Sequence, residues 1–154
     1  RGLGDVYKRQ PNGQRVVSAK DYFVALWETA VQPDELLVEI RVPTTSMNAN
    51  SCYEKFAQPA SRYPYVGCAV AVDKSGGTCS DVRVGFSGVG HVGFRDFNVE
   101  GALKGQALSA ASIKAAADTA TNGVDVLSDW SVSEDYRRAM SRVYARRALT
   151  KVGL

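Results

Sequence analysis

The chain has 154 residues, 45% hydrophobic and 23% charged, with a formal net charge of +3; that suits one globular domain, which at this size buries roughly 70% of its unfolded surface. No apolar run approaches the ~20 residues of a membrane-crossing helix and no charged-then-apolar leader resembles a signal peptide, so the sequence predicts a cytoplasmic protein without membrane contact. Cys52, Cys68 and Cys79 form no CxxC pair and the chain holds a single histidine, a pattern that argues against a zinc or iron-sulphur site and for buried, reduced thiols.

Residues 1 to 10 (RGLGDVYKRQ) have no clear periodicity and no initiating methionine; they read as a non-native leader and are set apart from the fold. Asn12-Gly13 signals a turn, and Arg15 to Ser18 a short strand. Asp21 to Leu26 fits a helical turn or a short loop packed on a sheet. After the turn at Gln32-Pro33-Asp34, Glu35 to Val42 (ELLVEIRV) places Leu36, Val38, Ile40 and Val42 on one face and Glu35, Leu37, Glu39 and Arg41 on the other. That alternation predicts a half-buried antiparallel strand, ended by Pro43. Thr44 to Asn50 is polar and reads as a linker.

Ser51 to Asp73 is the segment the remainder is organised around. Cys52 to Ala57 alternates, Gln58 to Pro64 is rich in turn formers, and Tyr65 to Val72 is almost continuously apolar. The pattern predicts two strands around a loop, the second strand buried. Lys55, Arg62 and three tyrosines lie in or beside that loop, so a cationic, aromatic edge is presented there. Lys74 to Gly77 reads as a hairpin turn and Cys79 to Ser87 as the returning strand. Ser109 is suited to cap a helix from Ala110 to Thr121. Ser131 and Glu134 have capping-box spacing, ahead of a helix from Val132 to Thr150 whose inner face is expected to carry Tyr136, Ala139, Met140 and Val143. Strands followed by helices make the expected class α+β, a three-stranded antiparallel sheet packed against a small C-terminal helical bundle.

Self-contained catalytic motifs are lacking. Gly88-Val89-Gly90-His91-Val92-Gly93 spells GxGxxG, but a dinucleotide site needs a helix opening inside the motif and an acid about twenty residues on, and Phe94 to Phe97 has no helical period. His91 without a cysteine or carboxylate at ligand spacing reads as a loop residue rather than a base or a metal ligand. Asp125 and Asp129 read as solvating the loop before the last helix. From Ser133 onward six cations (Arg137, Arg138, Arg142, Arg146, Arg147, Lys151) face only Glu134 and Asp135. Without interleaved aromatics this is a solvated or partner-facing helix, not a nucleic-acid surface.

Tyr53-Glu54-Lys55-Phe56, then Ala60 to Val72 (ASRYPYVGCAVAV), then Val82 to Gly90 (VRVGFSGVG) resemble the C-terminal domain of the flavin subunit of molybdenum hydroxylases, the carbon monoxide dehydrogenase and xanthine dehydrogenase family. Upstream, the segment from Gly13 through Asp21-Tyr22-Phe23 to Glu35-Leu36-Leu37 resembles the end of that subunit's FAD-binding region. The resemblance implies residues 11–46 as a remnant of the FAD-binding domain and 51–154 as the C-terminal domain. It implies an electron-transfer oxidoreductase subunit that passes electrons through FAD to an acceptor. Iron-sulphur clusters would sit on a small partner subunit and molybdenum-pterin on a large one, and this chain would hold no catalytic residue and no metal ligand.

Two residues carry over as cofactor contacts, Leu37 against the ring and Lys55 beside it. A reduced flavin is electron-rich near N1 and the C2 carbonyl, so an ammonium there favours the reduced form. The glycine-rich segments that hold the FAD diphosphate in the resembled subunit have no counterpart in the sequence, which predicts weak FAD binding and no activity by this chain alone. The competing reading is a cofactor-free structural or docking module; a nucleotide-binding role for Gly88 to Gly93 is a third.

Overall fold

The computed structural model describes residues 5–10, 13–42 and 50–154. The chain forms two compact units, residues 1–48 and 49–154. The linker expected from Thr44 onward lies outside the described residues, except that Asn50 already begins a strand.

In the first unit, β1 (Asp5–Gln10), β2 (Gly13–Ser18) and β5 (Leu36–Ile40) form a three-stranded sheet in the order β2-β1-β5, antiparallel throughout. Asp5–Gln10 was expected to stand outside the fold and is instead the middle strand. The sequence DVYKRQ has no hydrophobic period to announce a strand; the backbone ladder to both neighbours defines it. Ala19–Asp21 is one turn of 3-10 helix, and β3 (Phe23–Ala25) pairs with β4 (Glu28–Thr29) as a short hairpin. Glu35 is buried at the end of β5's approach, where its carboxylate accepts from Arg15 Nε and Nη2, both at 2.7 Å, and from the Gln32 amide at 2.9 Å. Every residue of β5 is exposed, not half-buried as its alternation predicts. Among the described residues of this unit no helix longer than the 3-10 turn is available to cover the sheet.

In the second unit β6 (Asn50–Ala57), β7 (Pro64–Ser75), β8 (Thr78–Ser87) and β9 (Phe94–Arg95) form an antiparallel sheet in chain order. The α+β class is as expected, and the sheet gains a fourth strand of only two residues. Gly76 and Gly77 join β7 to β8 with φ of +57° and +78°, the paired left-handed conformation that closes a two-residue hairpin.

Alternation along β7 and β8 sends Val66, Cys68, Val70, Val72, Val82, Val84 and Phe86 into the core. Against them pack α1 (Phe97–Leu103) and α3 (Glu134–Gly153), and α2 (Ala110–Ala117) packs on both helices. Burying the apolar side chains contributes roughly 1.5–3 kcal/mol each. Asp96 is buried and caps α1, its Oδ1 accepting from the amides of Asn98 and Val99, while Oδ2 accepts from Thr121 N at 2.7 Å. Ser109 caps α2 in a reciprocal box with Ser112, and α2 ends four residues earlier than its pattern suggests.

The last helix begins later than expected and is rotated. Its cap is Ser133, not Ser131. Ser131 is held by Asp129, whose Oδ1 accepts from Ser131 N, Ser131 Oγ and Val132 N. This local side-chain turn satisfies the amides that a helix would otherwise have claimed. The buried face then runs through Arg137, Ser141, Ala145, Ala148, Leu149 and Val152, while Tyr136 and Ala139 are exposed and Met140 and Val143 only half-buried.

Candidate functional site

The second unit gathers its irregular backbone at one end of the sheet. β6 and β7 are joined there by residues 58–63, and because Gly67 pairs with Ser87, the exit of β8 lies at the same end. The β6–β7 loop is closed by Gln58 N donating to Tyr63 O at 2.8 Å and Arg62 N donating to Gln58 O at 2.9 Å. Inside it, Gln58 Oε1 accepts from both the amide and the hydroxyl of Ser61. Arg62 has a φ of +64°, a left-handed conformation that costs an ordinary side chain of order 1 kcal/mol. The Arg62 and Tyr63 side chains face solvent, Tyr63 being 76% exposed.

Lys55 stands on β6 opposite Gly67 and donates from Nζ to Arg62 O at 3.0 Å. The contact leaves the exposed ammonium with donors to spare at the loop's edge. Its neighbour on the same face, Tyr53, lies over Gly67, where an added Cβ would come 2.2 Å from the phenol oxygen.

Gly88 begins the turn after β8 with φ +75°, and a Cβ there would approach Pro64 O to 2.3 Å. Glycine is therefore required by close backbone approach to the β6–β7 loop, not by a phosphate. Val89 is fully buried, and its carbonyl accepts from Leu127 N at 2.9 Å. No helix opens inside the GxGxxG; β9 follows, and α1 starts only at Phe97. His91 is exposed, with Nε2 3.8 Å from Asp125 Oδ2. Among the described residues no three His, Cys, Asp or Glu side chains cluster in a way that could hold a metal.

Residues 51–152 match the CO dehydrogenase flavoprotein C-terminal domain. The chain belongs to that family. Over 139 residues it is 33% identical to the carbon monoxide dehydrogenase medium chain of Hydrogenophaga pseudoflava, covering 90% of this chain and 48% of that one. The medium chain from Afipia carboxidovorans is 31% identical over 97% of this chain and 52% of its own length. A solved structure of carbon monoxide dehydrogenase from Hydrogenophaga pseudoflava superposes with a TM-score of 0.90 at 33% identity, over 97% of this chain and 52% of that one. Quinoline 2-oxidoreductase from Pseudomonas putida 86 follows the same fold, with a TM-score of 0.87 at 25% identity over 98% of this chain and 53% of that one. The chain thus spans about half the length of the curated relatives it matches.

The two residues singled out from sequence are both accessible. Leu37 lies on β5 of the first unit, 41% exposed and paired with Lys8; Lys55 lies in the second unit beside the β6–β7 loop. What the sequence reading missed is Arg137. The sequence places it among the cations of a solvated or partner-facing helix, yet it is 4% exposed. Its Nη1 donates to Tyr65 O at 2.8 Å and to Gly88 O at 2.7 Å, and its Nη2 to the Asp129 carboxylate. Asp129 therefore does not simply solvate its loop. The hydroxyl and amide of Ser131, the amide of Val132 and the Arg137 charge hold its carboxyl down to about 2. The sequence signal that could have found the pair is weak, an Asp eight residues ahead of an Arg across a helix cap.

The expectation of buried thiols holds for two of the three cysteines. Cys68 and Cys79 are buried and Cys52 is half-buried, its Sγ donating to Ala148 O at 3.4 Å. Burial pushes all three upward, Cys68 to about 12.

Proposed function

We propose that this chain is the C-terminal portion of the FAD-containing medium subunit of a molybdenum hydroxylase. In that reading residues 11–46 are the tail of the FAD-binding domain and 51–154 its C-terminal domain. The complete subunit relays electrons from iron-sulphur clusters on a small partner subunit, fed by molybdenum-pterin on a large one, to an acceptor. The observation that carries it is the 33% identity to a carbon monoxide dehydrogenase medium chain along 90% of the sequence. Other relatives are a nicotine 6-hydroxylase medium subunit and a glyceraldehyde dehydrogenase medium chain, so the substrate is a property of the assembly and not of this domain. The cytoplasmic setting belongs to the same reading, and it suits three unpaired cysteines.

The described residues fit one part of the cofactor. Exposed Lys55 and Tyr63 at a loop edge suit an electron-rich, planar ring, while the Gly88–Gly93 turn, with no helix opening in it, does not suit a diphosphate. When bound, FAD supplies the electron storage. Lys55 supplies positive charge at the ring's edge, held there by the Arg62 carbonyl, and Leu37 supplies apolar contact. The test is Lys55→Met in the complete FAD-loaded subunit. Removing a nearby cation weakens the reduced form, so the two-electron midpoint potential is expected to fall by about 30–60 mV, the equivalent of roughly 1.4–2.8 kcal/mol. An unchanged potential removes Lys55 from the flavin environment.

A further inference from the structure

Three segments that share no strand meet at the loop end of the second unit: the exit of the β6–β7 loop at Tyr65, the Gly88 turn, and the Asp129 turn ahead of α3. One side chain touches all of them. Arg137, in the first turn of α3, donates through Nη1 to Tyr65 O and Gly88 O and through Nη2 to Asp129. Its guanidinium carbon lies 5.9 Å from the centre of the Tyr65 ring, and that ring is 5.4 Å from Phe56, which also meets Tyr136 and Tyr144 of α3.

Stability alone does not call for this arginine. Burying an ion in place of a packed apolar side chain is often neutral or unfavourable, and here Nε is buried with no acceptor, a further cost. What an apolar residue could not do is hold two carbonyls from two strand ends at one point. One of those carbonyls lies two residues beyond Tyr63, at the exit of the loop whose Arg62 carbonyl holds Lys55. The other belongs to the glycine whose backbone touches Pro64.

We propose that Arg137 is the positioning residue of the β6–β7 loop, fixing through the Tyr65 and Gly88 carbonyls where Lys55, Arg62 and Tyr63 stand relative to the flavin ring. The inference rests on the flavin reading above. Arg137 acts through backbone and touches no cofactor; Asp129 holds the guanidinium from its other side.

The experiment is a cycle in the complete subunit, purified with its flavin: wild type, Lys55→Met, Arg137→Lys and the double variant, with Asp129→Asn alongside. A lysine keeps the charge but gathers its donors on one nitrogen, whereas Arg137 reaches the two carbonyls and the carboxylate from two. Arg137→Lys is expected to weaken FAD binding roughly tenfold and to shrink the effect of Lys55→Met on the midpoint potential at least twofold, since a misplaced loop no longer delivers the ammonium. Asp129→Asn, which leaves both carbonyl contacts in place, moves both quantities the same way by less. If Arg137→Lys melts earlier but keeps wild-type FAD affinity and the full Lys55 effect, Arg137 is a clamp for the fold alone and the proposal is overturned. Should Arg137→Lys fail to fold, an Asp129→Asn protein indistinguishable from wild type in both readouts overturns it equally. A wild-type subunit that binds no FAD instead overturns the flavin reading, and the inference with it.

Discussion

Cys68 shows how one buried atom sets a pH limit. It lies in the middle of β7 at 0% exposure, and burial, with smaller contributions from Cys52, Asp96 and Glu54, raises its thiol from 9.0 to about 12. Below the ordinary thiol range the folded and unfolded chains both hold the proton. Above it the unfolded chain releases the proton and the folded chain retains it until about pH 12, so stability is full below pH 9 and is lost as pH rises through that window. The Cys68 contribution to stability should therefore be flat from neutral pH to about 9 and then fall, with a slope of up to about 1.4 kcal/mol per pH unit that pH-dependent melts would follow. Cys68→Ala should melt earlier at pH 7, through the small cavity, and fall less steeply between pH 9 and 11. An equally steep alkaline limb in the variant would show that other groups, Cys79 among them, carry the effect.

At the scale of elements, two glycines separate backbone need from backbone cost. Gly88 sits at φ +75° with its missing Cβ 2.3 Å from Pro64 O and 3.2 Å from Tyr65 O, so Gly88→Ala must move the start of β7, directly after Tyr63. The expected cost is about 3 kcal/mol or more, because left-handed strain and a backbone clash act together. Gly101 lies inside α1 with nothing within 4 Å of its Cβ position, and Gly101→Ala should stabilise by about 0.5–1 kcal/mol. Chemical denaturation of both variants checks the pair, and comparable effects of the same sign would refute the assignment. The elements themselves were legible where apolar period and chain direction agree, as in β7, the Gly76-Gly77 hairpin and the Ser109 cap. They were illegible where polar side chains replace them. The sequence of β1 has no hydrophobic period, and α3 is turned toward the core by Arg137 and Ser141, positions that a hydrophobic period assigns to solvent. Three of the six cations of α3 are likewise tied inside the unit, Arg137 as described, Arg138 to Glu134 and the carbonyls of Thr121 and Val124, and Lys151 to Glu54. The basic character seen in sequence is therefore partly structural.

For the whole molecule, the family was legible because its signature lies in β6, β7 and β8, the strands that build the core of the second unit; the positioning of the loop was not, because it depends on a long-range contact between residues 65, 88 and 137. The same division decides what this chain can hold unaided. Sub-micromolar affinity for FAD requires more than about 8 kcal/mol. Against the uncharged, oxidised flavin an exposed ammonium such as Lys55 contributes on the order of 1 kcal/mol or less. Apolar contact with the exposed Tyr63 adds only about 25 cal/mol per Å² buried, before the entropic cost of association. The diphosphate, with most of the ligand's charge, finds no helix N-terminus at the Gly88 turn, where the amides lead into β9. Titrating the 154-residue chain with FAD and following flavin fluorescence should therefore give a dissociation constant well above micromolar and no electron transfer from a donor. A constant below about 1 µM would mean that this chain recognises the phosphates after all, and the search for their donors would begin at the exposed side chains of Lys55 and Arg62.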